Sequence, residues 1–139
     1  MTRKSGRPSD CDAAAARTRP RQAQSFVAVA ETIFTEPDDE NLPLRGVAAA
    51  LAVLAGIAAS DAACCARLGK RYRGQDHAQA IELLRTVEPE GTHLANDLER
   101  LLAIKDNVHY GAILISPSDA KAAVQRARRM VDTVRRSIA

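Results

Sequence analysis

The sequence predicts an all-α protein, an antiparallel bundle of four to five helices. Three observations carry that expectation. The 139 residues include 27 alanines, and alanine is the strongest helix former. Aromatic residues make up only 3% of the chain, and β-branched residues are sparse beside the alanines, which leaves little to favour a sheet. Apolar residues recur at spacings of three and four along several segments, the period of a helix with one buried face. An apolar fraction of 46% excludes a disordered chain, and the length suits one domain.

The elements follow in order. Residues 1–19 are polar, basic and interrupted by Gly and Pro, and read as a flexible tail. Residues 20–139 read as a single helical domain. Pro20 suits a first helical turn. Phe26, Ala30, Ile33 and Phe34 then share a face, and Pro37 to Asn41 forms an acidic connector. A second helix is predicted from Pro43 to Leu68, with Asn41 as its cap and Gly69 as its stop. Its apolar residues circle the whole helix, so it should be covered on most sides. Val47 to Ala59 carries no charge, yet a membrane span needs about 20 strongly apolar residues. The alanines, with Gly56, Ser60 and Asp61, point to a buried core helix and to no membrane partner.

A basic loop follows, Lys70-Arg-Tyr-Arg-Gly74. Asp76 is placed to cap a third helix, whose Ile81, Leu84 and Val87 form a stripe that Pro89 ends. Thr92 opens a fourth, striped by Leu94, Leu98, Leu101 and Val108, with Lys105 at an intervening stripe position and Gly111 at the end. Ser116, Pro117 and Asp119 give a cap, a first-turn proline and an acidic third position. The fifth helix then carries Ala120, Val124, Ala127, Val131, Val134 and Ile138 as a coiled-coil-like seam, with its arginines on the other faces.

The net charge of +3 conceals an uneven distribution. Residues 1–21 carry six basic and two acidic groups and residues 119–136 the same, so each end is +4 around a body of −5. Basic ends suit phosphate backbones, and a solvated helix face accounts for such charge equally well. Met1 to Arg21 lacks the apolar run of a signal peptide. Cys11, Cys64 and Cys65 show no metal-ligand spacing, and three cysteines do not make a disulfide scaffold. Reduced thiols in a cytoplasm are expected, with Cys65 as a small core filler.

The most informative stretch is Leu101-Leu-Ala-Ile-Lys-Asp-Asn-Val-His-Tyr-Gly111. On a helix Lys105 and His109 share a face, and Asp106 and Tyr110 share the next. Such a cluster suits metal-free chemistry on a phosphodiester: His109 as acid or base, Lys105 against phosphate charge, Asp106 orienting a partner. A solvated Lys–Asp pair with a histidine near the helix C-terminus is the plainer alternative. Arg71 and Arg73, flanking Tyr72, are candidates to grip a phosphate and stack a base. His77 is a candidate pocket residue, and Arg128 and Arg129 are candidates to track a nucleic-acid backbone. No phosphate loop, paired-carboxylate site or Cys/His metal pattern is present, so neither a cofactor nor a metal is expected.

Three segments together resemble the HEPN family, the higher eukaryotes and prokaryotes nucleotide-binding domains. Ser60-Asp-Ala-Ala-Cys-Cys-Ala-Arg-Leu-Gly69 resembles the family's alanine-rich second helix. Gly74-Gln-Asp-His77 with Leu83-Leu84 is similar to its G-x-x-H … L-L connector and short helix. Lys105-Asp-Asn-Val-His-Tyr-Gly111 stands where the family places its polar motif before the last helix. The resemblance spans about residues 22–138. It implies an antiparallel bundle paired into a symmetric homodimer. Catalytic members cleave RNA without metal through an R-polar-x-x-x-H motif, and inactive members partner nucleotidyltransferases in toxin–antitoxin and defence systems.

This chain departs from that motif: Lys105 replaces the Arg, Asp106 holds the polar slot, Tyr110 replaces the His, and His109 comes one position early. A lysine is a poorer bidentate phosphate clamp than an arginine, and a tyrosine is a weak base near neutral pH. The expectation is therefore a HEPN-like binding module contacting RNA, a nucleotide or a nucleotidyltransferase-type partner protein. A metal-independent endoribonuclease using Lys105, His109 and Tyr110 is one alternative, and a structural helical adaptor is the other.

Overall fold

The computed structural model describes residues 7–39, 41–73, 77–105 and 115–138. Among them are five helices: α1 (Ala13–Phe34), α2 (Leu44–Leu68), α3 (His77–Arg85), α4 (Gly91–Ala103) and α5 (Pro117–Ile138). Two two-residue strands, β1 (Ser9–Asp10) and β2 (Lys70–Arg71), pair antiparallel with Ser9 opposite Arg71 and Asp10 opposite Lys70. The all-α bundle expected from composition and periodicity is what forms.

α2 is its axis. Its buried residues extend from Ala48 to Cys65 and are continuous from Ala58 onward, and α1 and α5 pack along it. Alanines let these helices approach closely; at Gly56 a Cβ would stand 2.6 Å from Leu101 Cδ1, so α4 leans into the space that the missing side chain leaves. α2 is long and apolar enough to cross a membrane, but 67% of its apolar window is buried inside the bundle. The directions of the helices follow from their cross-links. Arg19 near the start of α1 meets Asp61 near the end of α2, and Glu31 of α1 meets Arg128 of α5, so α1 runs antiparallel to both. Arg67 donates to the Ser137 carbonyl, which brings the C-terminal ends of α2 and α5 together.

The helix ends show which local signals prevail. α2 stops at Gly69, whose φ of 71° places it in the left-handed region while its N–H returns to the Cys65 carbonyl at 3.1 Å; glycine adopts that conformation without a Cβ penalty. Its start is capped from a distance. Asp38 Oδ1 accepts from the Arg45 N–H at 3.0 Å, a role the sequence suggested for Asn41. Ser116 Oγ accepts from the Asp119 N–H at 3.1 Å and opens α5 as its motif predicts. The seam of α5 is buried at Ala120, Val124, Ala127, Val131 and Val134, with Ala123 and Met130 widening it. α4 begins at Gly91, one residue before Thr92, and buries Leu94, Leu98 and Leu101.

The N-terminal boundary needs correction. α1 begins at Ala13, well inside the stretch read as a flexible tail over residues 1–19, and Pro20 lies within the helix. Asp12 explains the difference, since its Oδ1 accepts from the Ala15 N–H at 2.7 Å and an Asp cap stabilises a helix start by about 1 kcal/mol. Ala13 to Ala16 then propagate the helix, and a proline eight residues in costs one backbone bond without ending it.

The cysteines need correction too. Cys11 and Cys65 form a disulfide across 54 residues, where reduced thiols had been expected. Cys65 is buried in the core, as expected, but as a bridge partner; the buried free thiol is Cys64. Adjacent Cys64 and Cys65 point in different directions on α2, and only the second meets the N-terminal strand. The bridge, the β1–β2 ladder and a 2.9 Å bond from the Cys11 N–H to the Gly69 carbonyl hold residues 9–11 against the end of α2.

Candidate functional site

Where α1, the C-terminal half of α2, the β2 loop, α3 and α4 converge, they enclose a cavity of about 300 Å3. Arg19, Asp61, Arg71, Tyr72, Arg73 and His77 supply its polar lining, and Ile57, Leu98 and Leu102 its apolar floor. Asp61 is the pivot. It is 8% exposed, and its Oδ2 accepts from Arg19 Nε at 2.9 Å and from Arg71 Nη1 at 3.1 Å. Burial pushes the Asp61 carboxyl above its ordinary value, and the two guanidiniums pull it part of the way back. An acid on the flank of an alanine-rich helix thus orders two arginines from distant segments, one from the first turns of α1 and one from β2.

Three guanidiniums and one carboxylate line the cavity, so its electrostatic character is positive. Arg71 Nε is buried with no hydrogen-bond partner among the described residues. Arg73 is exposed at the mouth. His77 opens α3, and its Nε2 lies 3.3 Å from Lys105 Nζ, two residues beyond the end of α4. The contact joins the G-x-x-H connector to the polar motif across 28 residues. Such a site can hold a phosphate-sized anion through charge-assisted hydrogen bonds.

Comparison with protein-family models, with curated proteins and with solved structures finds no match to this chain.

The candidates read from the sequence fall into three groups. Arg71, Arg73 and His77 line one cavity, and Lys105 touches His77. Asp106, His109 and Tyr110 lie outside the described residues. Arg128 and Arg129 stand elsewhere, each paired within the chain. Arg128 donates to both carboxylate oxygens of Glu31, at 2.8 and 2.6 Å, and to Asp132 at 3.1 Å. Arg129 donates to both oxygens of Asp97, at 3.0 and 2.6 Å. These carboxylates hold both guanidiniums more firmly protonated than usual, and both pairs cross-link helices. No group of three or more metal-ligating side chains occurs among the described residues.

Sequence reasoning missed Arg19, Ser60 and Asp61 as site residues. Arg19 fell within the supposed tail. Asp61 had a legible signal: it is the single acid in the 25 residues of α2, and a charge in so apolar a helix needs a partner. Which partner it finds depends on β2 folding back beside α1.

Proposed function

We propose that the protein is a HEPN-like binding module whose cleft takes a phosphate-bearing ligand, RNA or a nucleotide. The observation that carries this reading is the convergence of Arg19, Arg71 and Arg73 on one cavity, with His77 and Lys105 in contact beside it. Guanidiniums match phosphate geometry bidentately, and Tyr72 lines the cavity among them. The reading also takes the chain as a homodimer in a toxin–antitoxin or defence-type setting, with a nucleotidyltransferase-type protein as its protein partner. It is placed in the cytoplasm, where a disulfide is commonly redox-sensing rather than a permanent staple.

The experiment is a gel shift of single-stranded RNA and of tRNA in EDTA, with sedimentation to weigh the complex. Binding is expected to weaken steeply with salt, and Arg73→Glu is expected to lower affinity by about tenfold. A folded protein that shifts no RNA at low salt, or that binds equally well as Arg73→Glu, refutes the reading. RNA cleavage in EDTA that disappears in His109→Ala/Tyr110→Phe would replace it with the endoribonuclease alternative.

A further inference from the structure

The two arginines that Asp61 orders reach it from segments that meet at one covalent link. Arg71 belongs to β2, whose ladder partner is β1. Arg19 belongs to α1, which starts two residues after Cys11. Besides the Cys11–Cys65 bridge, a two-residue ladder and the Cys11–Gly69 hydrogen bond join residues 9–11 to the segment that leaves α2. A two-stranded ladder of that length does not persist alone. The connected apolar cluster runs through Cys64 without the bridged pair, although Cys65 is itself buried, so the helices have a packed core besides the bridge. Cys11 is half-buried, whereas Cys65 is 7% exposed, so an incoming thiolate has its approach from the Cys11 side.

We propose that the Cys11–Cys65 disulfide is a redox clamp on the cleft: the oxidised bridge holds Arg71 and Arg19 in their ligand-binding positions, and reduction by a dithiol releases β2 and opens the site. This rests on the anion-binding reading of the cleft. The step is thiol–disulfide exchange. A thiolate of the dithiol attacks the Cys11 sulfur, the S–S bond breaks, and Cys65 leaves as a thiolate that takes a proton. The second thiol of the reductant then resolves the mixed disulfide. Cys11 and Cys65 end as thiols, and the reductant, oxidised by two electrons, ends as its own disulfide. Cys64 stays out of the exchange, because burial and the neighbouring Asp61 push its thiol up to about 12 and keep it protonated. The clamp therefore has two states and one pairing.

The test combines two readouts on the full chain, with and without dithiothreitol. Peptide mapping of the oxidised protein should recover Cys11 linked to Cys65. Hydrogen exchange should show protection at Cys11 and over Lys70–Arg71 that reduction removes, while the buried amides of α2 keep theirs. Affinity for a labelled single-stranded RNA should fall by about tenfold on reduction, as a preorganised site becomes a loose one. Cys11→Ser should bind as the reduced protein does and ignore the reductant, whereas Cys64→Ser should respond like the parent. Unchanged exchange over Lys70–Arg71, or equal RNA affinity in the two states, overturns the clamp. Exchange that responds to reduction in a protein that binds no RNA in either state refutes the anion-binding reading instead, and the gating of it with it.

Discussion

Arg129 grips Asp97 through both carboxylate oxygens, at 3.0 and 2.6 Å. The two partners are unequal: the Asp97 side chain is 12% exposed and that of Arg129 60%. The arginine is a lid on a carboxylate that α4 has carried into the bundle, and it ties α4 to α5. Removing it leaves a buried acceptor without its donor, which costs more than an ordinary surface pair contributes. Arg129→Ala is expected to lower the unfolding free energy by about 1–3 kcal/mol in urea titrations. Adding Asp97→Asn should recover part of the loss, because it removes the stranded charge.

The same pairing separates stability from binding. Arg129→Ala should leave RNA affinity within about twofold of the parent, whereas Arg73→Ala at the cavity mouth should weaken it with little effect on unfolding. Gel shifts and urea melts on the two variants make that contrast directly. A binding loss confined to Arg129→Ala would move the interface to α5.

Reduction should also register as stability. A link between residues 54 apart restricts the unfolded chain, which in the loop-entropy account stabilises the fold by at most about 4 kcal/mol. Because the connected apolar cluster is complete without the bridged cysteines, the reduced protein should still unfold cooperatively, at a lower urea midpoint.

Gly56 and Leu101 should behave as a coupled pair. Leu101 is fully buried, and Leu101→Ala is expected to cost about 2–5 kcal/mol through the cavity it opens. Gly56→Ala alone should destabilise, since its Cβ would meet Leu101 Cδ1 at 2.6 Å. The double variant should lose less than the sum of the two, because the new methyl enters the space that the leucine vacates.

Cys64 sets a pH dependence with a definite sign. Its thiol is pushed from 9.0 to about 12 in the folded protein, so between those values the unfolded chain releases a proton that the native state retains. Stability should therefore be unaffected by this group below about pH 9 and fall as pH rises toward 12, by at most about 1.4 kcal/mol per pH unit. Cys64→Ala should show a shallower alkaline decline in thermal melts. Native Cys64 should also resist alkylation at pH 8.

Local signals accounted for much of the fold. Gly69 ended α2 and Ser116 opened α5 because each acts through its own backbone neighbourhood. The stripes on α4 and α5 buried the leucines, valines and alanines their spacing selects. Asp12 was equally local, yet the Gly, Pro and basic residues around it masked a cap followed by four alanines. The site was legible only in pieces. Arg71, Arg73 and His77 stand out as basic residues near a turn, but their sharing a cavity depends on α3 and α4 packing beside α2.

The chain's own chemistry therefore determined the helices, their periodic faces and most of their ends, because those depend on contacts three or four residues apart. Tertiary structure alone decided which charges meet. Asp61 could have paired with any nearby cation, and it orders Arg19 and Arg71 because α1 and β2 arrive together at the end of α2. Arg128 and Arg129 hold Glu31 and Asp97 because two helices place those carboxylates opposite them. Cys11 found Cys65 rather than Cys64 for the same reason: a one-residue step on α2 rotates a side chain by about 100°, and only one of the two then faces the N-terminal strand.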